Sequence, residues 1–166
     1  MKSRTPSSTL KKVIVQKLNR ETHRGYLNPA YLGRVESLDL LTPDGEHQQV
    51  ELKDVRCVYF VRDFTDHFEP ERKAFFSRPK LDGLWVRLKF RDNDTIEGIV
   101  PNDLLELLDR GVQITPPDLQ AECMRLFIPR TALTELTVLG VVGIARRAPK
   151  RVAPEEAARQ PKLFGE

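Results

Sequence analysis

Only two cysteines, Cys57 and Cys123, occur in 166 residues, and they form no CxxC pair. That excludes a disulfide framework and fits free thiols in a reducing compartment. Glycine is sparse as well: all nine are isolated, so no glycine-rich loop is present to cradle a phosphate. Long apolar runs are missing. The stretch Val138 to Ile144 is short and carries Gly140 and Gly143, far from the length of a membrane span. The opening MKSRTPSSTLKK has no apolar run of the kind a secretory signal needs, so the expected address is the cytoplasm.

What the chain does have is 40% apolar residues, enough to fill a core, and a net charge of +3 that is unevenly spread. Residues 1–12 hold Lys2, Arg4, Lys11 and Lys12, while residues 145–166 hold six Lys/Arg against Glu155, Glu156 and Glu166. The body between them is therefore mildly acidic. Any contact with nucleic acid is expected to be weak and to run through these arms, at Lys2, Arg4, Lys11, Lys12, Arg146, Arg147, Lys150 and Arg151. The last twenty residues are alanine-rich, charged and broken by Pro149, Pro154 and Pro161, which is a composition for disorder.

The body reads as a duplication. Placing Gly25 on Gly98 runs residues 12–45 against 85–118 without a gap, with identities at Val13/Val86, Thr22/Thr95, Leu32/Leu105, Thr42/Thr115 and Pro43/Pro116. Each copy is written in strands. Val86, Leu88 and Phe90 alternate with Arg87, Lys89 and Arg91, Asp92-Asn93-Asp94 supplies a turn, and TIEGIV returns as a partner strand. Helix is expected only as single turns, near 70–77 and at 103–108, where a short strand is the alternative. The predicted fold is all-β: two tandem small β-barrels from an internal duplication, with disordered N- and C-terminal arms. The expected division is an arm over 1–11, a first barrel over 12–61, a Phe-rich connection over 62–84, a second barrel over 85–144 and a basic tail over 145–166.

The bent strand pair around Gly98 and the late FIPRTALTEL resemble Sm-like or SH3-like small barrels, over residues 85–139 with a degraded copy at 12–61. The uridine pocket of Sm-like proteins does not carry over, because Gly98 is followed by IVPND and Arg130 by Thr131. VYFVRDF, FFSRPKLDGLWVRLKF and EGIVPNDLL together resemble an uncharacterised bacterial domain family, a likeness that implies a recurrent architecture and no chemistry.

No catalytic constellation is visible. His23 and His47 read as surface residues beside turns. His67 lies near Asp63, Asp66 and Glu69, at a spacing that fits no metal motif, and neither cysteine has a neighbouring histidine. The barrel-borne cyclic-dinucleotide signature of PilZ domains is absent. No cofactor and no metal are expected, and the chain is read as a binding protein and not as an enzyme.

Two segments could bind. The connection 62–83 holds Phe64, Phe68, Phe75 and Phe76, half of the eight phenylalanines. These either cover the seam between barrels or form a protein-partner groove rimmed by Arg62, Arg72 and Arg78. The tail ends in Gln160-Pro161-Lys162-Leu163-Phe164, which resembles the peptide by which bacterial replication and repair proteins dock on the DNA sliding clamp. The resemblance implies that Gln160 orients the peptide and that Leu163 and Phe164 anchor it. The expected function is thus an adaptor recruited to the sliding clamp, the alternative being a barrel module that binds RNA or a protein.

Overall fold

A computed structural model describes residues 9–103, 105, 110–118 and 123–143. Among these residues the regular elements are ten strands and three single-turn 3-10 segments, so the fold is all-β as expected; Leu105 is helical, and 104 and 106–108 of the expected turn lie outside the described residues. The first five strands are β1 (Lys11–Lys17), β2 (Thr22–Leu27), β3 (Ser37–Leu41), β4 (His47–Glu51) and β5 (Val55–Val61). The second five are β6 (Gly83–Phe90), β7 (Thr95–Val100), β8 (Gly111–Ile114), β9 (Cys123–Pro129) and β10 (Leu133–Val142). A 3-10 turn, Leu52–Asp54, precedes β5, and its counterpart Arg130–Ala132 precedes β10.

The strands form a seven-stranded sheet ordered β4-β3-β2-β1-β5-β9-β8 and a three-stranded sheet ordered β10-β6-β7. An antiparallel bridge between Ile99 and Thr115 links β7 to β8 and so joins the two sheets. Read across that bridge, the same five-strand order occurs twice in succession. The hairpins agree in detail. Lys17 N–H donates to Glu21 (2.8 Å) where Phe90 N–H donates to Asp94 (2.8 Å). Arg20 (φ 73°) and Asn93 (φ 67°) occupy the same left-handed position of the two turns.

Gly25 stands opposite Val13 and Gly98 opposite Val86. Both glycines make room for the next strand. A Cβ on Gly25 would lie 2.6 Å from the Leu41 carbonyl oxygen, and one on Gly98 would lie 2.8 Å from Ile114 Cβ.

The expectation of two barrels needs correction, because among the described residues neither five-strand unit closes on itself. Instead β5 pairs antiparallel with β9 of the other unit, placing Val58 opposite Phe127 and Tyr59 opposite Leu126. This seam converts β1, β5 and β9 into a shared central layer with an apolar core on each face. Val13, Val15, Val55, Val58 and Phe60 face the first core, which Phe127 enters from the second unit. Ile14, Cys57, Tyr59 and Val61 face the second core, together with Val86, Leu88, Phe90 and Ile114. All seven residues of β5 are buried for that reason. A strand covered on both faces needs no polar alternation, and VYFV shows none.

The alternation expected at β6 is present: Val86, Leu88 and Phe90 are buried, Arg87 and Arg91 are exposed, and Lys89 is half-buried. The connection 70–77 contains bends but no helix.

Candidate functional site

The two 3-10 turns come side by side at the seam. Leu52 N–H donates to the Glu36 carbonyl (2.8 Å), and the counterpart Arg130 N–H donates to the Arg110 carbonyl (2.8 Å). Between these two equivalent corners opens a cleft of about 440 Å³. Glu36, Glu51, Leu52 and Lys53 line it from the first unit, and Arg110, Arg130 and Thr131 from the second. An ion pair of 3.1 Å from Arg110 Nη1 to Glu36 Oε1 spans the two walls. The cleft is open, part apolar and charged with both signs. Those properties suit a polar extended segment better than a small apolar ligand.

On the other side of the shared layer the polar groups are occupied with one another. Arg56 is only 4% exposed. Its guanidinium lies 3.9 Å from the centre of the Phe90 ring. It donates to Asp92 and Asp94 of the β6–β7 turn (3.1 Å each) and to Gln16 (3.2 Å). Arg20 adds a second pair to Asp92 (2.7 Å), and Lys73 a second pair to Asp94 (2.7 Å). The second hairpin is thus clamped to the first unit by a buried cation.

Burial opposes the arginine's charge, but the nearby Tyr59 and Asp92 outweigh it and raise its pKa. Burial likewise opposes ionisation of the two aspartates. For Asp92 the Asp94 backbone N–H and Arg56 prevail, and for Asp94 the Lys73 ammonium and its neighbours, so both carboxyls titrate below the usual range. The enclosed void beside Arg56, Glu69 and Asp94 measures about 20 Å³, room for roughly one water molecule.

Both thiols lie in the second core. Burial raises Cys57 well above the ordinary thiol value and pushes Cys123 up to about 12, so neither is a ready nucleophile.

Phe64 packs edge-on against Tyr26 (5.5 Å between ring centres), Phe68 against Tyr59 (4.8 Å) and Phe75 against Trp85 (6.2 Å). These three rings are half-buried, and Phe64 and Phe68 pack against the second core. Phe76 is 85% exposed, with the Arg72 guanidinium 4.3 Å from its ring centre, and is the one of the four free to meet a partner.

Lys11 and Lys12 belong to β1 and not to an arm. Lys12 is engaged by Asp63 (3.3 Å) and lies 5.8 Å from the Phe64 ring centre. Lys2, Arg4, Arg146, Arg147, Lys150, Arg151, Gln160, Leu163 and Phe164 lie outside the described residues.

The carboxylates around His67 are turned to other uses. Asp63 pairs with Lys12, Asp66 with Arg24, and Glu69 accepts from Gln16 (2.9 Å). Among the described residues no three His, Cys, Asp or Glu side chains gather as a metal set would require. His23 departs from its expected surface place: it is half-buried and bonded to Gln48 (3.1 Å). His47 is exposed and paired with Asp39 (3.0 Å).

Sequence reasoning missed the cleft and the Arg56 clamp, since both depend on which strands meet across the seam. A signal for the clamp was present in Arg56, a lone charge inside an otherwise apolar strand.

Over residues 9–140 the chain matches the family model described as a family of unknown function (DUF6982), and it belongs to that family. No curated protein and no solved structure matches it.

Proposed function

We propose that this member of the DUF6982 family is a binding adaptor: its folded body holds a short protein segment in the seam cleft, and its tail docks on the DNA sliding clamp. The observation that supports the binding reading is the cleft itself. It is built from equivalent corners of both units, with Glu36, Glu51 and Lys53 on one wall and Arg110 and Arg130 on the other. A peptide with charges of both signs can pair with each wall, and its backbone can reach the polar rim. RNA would meet two carboxylates among the three cations, which weakens the RNA alternative.

The clamp reading rests on Gln160, Leu163 and Phe164 as a Gln-x-x-Leu-Phe peptide. Two apolar anchors and an amide suffice for a dissociation constant on the order of 1–100 μM. The test is surface plasmon resonance of the intact chain on immobilised clamp. L163A with F164A should make binding undetectable, while Gln160→Ala should weaken it by about 1 kcal/mol. Intact protein that shows no binding, or a double variant that binds as well, removes the clamp from this reading. Fluorescence anisotropy with single-stranded RNA checks the alternative. Salt-sensitive binding that is lost in a Lys53→Glu, Arg130→Glu double variant would favour the RNA module and displace the peptide.

A further inference from the structure

We propose that the outer edge of β10 is a self-association surface occupied by β10 of a second copy of this chain, paired antiparallel about a two-fold axis at Thr137. Four strands end the two sheets: β4, β8, β7 and β10. The bridge from Ile99 to Thr115, with backbone hydrogen bonds of 3.0 and 2.9 Å, ties β7 to β8. Among the described residues that leaves β4 and β10 as open edges.

These two differ in the features that govern edge pairing. β4 is five residues long, HQQVE, and its exposed His47 and Gln49 are bonded to Asp39. It is short, polar and charged, as a protected edge should be. β10 is ten residues long, LTELTVLGVV, with Glu135 its one charge and no proline. Its length and composition offer a pairing template instead of blocking one.

The side chains say which face is incomplete. Leu136 stands opposite Leu88 and Val138 opposite Val86, so both point to the core face of the second unit. Yet Leu136 is 37% exposed and Val138 49%. In the first unit the equivalent residues Val58 and Phe60 are buried, because β9 lies beyond them and sends in Phe127. The second unit has the same core rim with no described strand beyond it.

The choice of occupant follows from complementarity. The β5–β9 register, applied to a neighbouring β4, would set Leu136 against Gln49 and Val138 against His47, beside Asp39. That buries apolar rim against groups already committed to a carboxylate. A second β10 turned about Thr137 sets Leu136 against Val138 of the other copy, twice over. Isologous two-fold contacts of this self-matching kind are the commonest in soluble oligomers. Arg78 caps the Val141 carbonyl (2.6 Å), which limits the pairing to the strand's first two-thirds, where Thr137 lies.

The experiment uses the full chain. Thr137→Cys should give a disulfide-linked dimer under mild oxidation, which the parent does not form because Cys57 and Cys123 are buried. Sedimentation equilibrium should show the parent as a dimer at about 100 μM. L136K with V138K should raise the dissociation constant about tenfold or more, with the far-ultraviolet circular dichroism of the parent retained. A parent that stays monomeric at that concentration overturns the proposal. So does a mixture of Gln49→Cys and Leu136→Cys chains that cross-links while Thr137→Cys does not, which would identify β4 as the occupant.

Discussion

β5 and β10 are the last strands of two units with the same order, yet among the described strands one is the most buried and the other among the most exposed. The residues differ in the same sense: VRCVYFV against LTELTVLGVV. Position within a unit does not decide burial here. What decides it is the neighbour beyond, since β5 has β9 on its outer side and β10 has no described strand there. A duplicated unit therefore acquires two environments from one topology, and the seam between the copies holds most of the distinctive chemistry: the doubly covered layer, the clamped turn and the cleft.

The largest effect is expected where the second unit enters the first. Phe127→Ala removes a fully buried ring shared across the seam and should cost about 3–5 kcal/mol in urea denaturation. A loss below about 1 kcal/mol would mean that the first core does not depend on the second unit.

Arg56→Ala tests the clamp. It removes a buried guanidinium from the Phe90 ring and one partner from each of Asp92 and Asp94, which are 37% and 34% exposed and keep Arg20 and Lys73, so the cost should be about 2–3 kcal/mol, below that of a fully buried pair. The acid limb sharpens the test. Both aspartates titrate below their ordinary value of 3.8 in the folded state, so their contribution is present above about pH 4 and is lost as pH falls through the lowered values. The parent should lose stability over that acid window, and Arg56→Ala should lose less, chiefly through Asp92, because Lys73 stays on Asp94. Equal acid slopes would show that the pair does not link the units.

The two glycines come next. Gly25→Ala and Gly98→Ala force a Cβ against the following strand and should each cost about 1–3 kcal/mol. A large cost at one and none at the other would break the equivalence of the units. Leu136→Ala, measured on dilute protein, should change stability by less than about 1 kcal/mol, since its side chain lies at an open rim.

Much of the fold could be read in the chain. Alternation at Val86-Leu88-Phe90 and the Asp92-Asn93-Asp94 turn located the second hairpin, and the pairing of Gly25 with Gly98 revealed the first by its likeness. Barrel closure was misjudged because periodicity reports which residues share a face and not which strand lies alongside. The seam is a non-local pairing between strands more than sixty residues apart, so no local pattern announces it. The phenylalanines of 64–76 were visible as a cluster, but the sequence did not show that Phe64, Phe68 and Phe75 pack edge-on against Tyr26, Tyr59 and Trp85 while Phe76 is exposed. The cleft was not legible at all, because its residues come from four separate stretches that are brought together only when β5 meets β9.

The central claim is that this seam makes the two units one cooperative body, and hydrogen–deuterium exchange along a urea titration tests it most directly. Amides of β1 and β5 in the first unit and of β6 in the second should open with the same free energy and the same denaturant dependence, in step with the fluorescence of the single tryptophan, Trp85. Two separate openings, with β6 and Trp85 released while β1 stays protected, would contradict the account and return the molecule to two independent units.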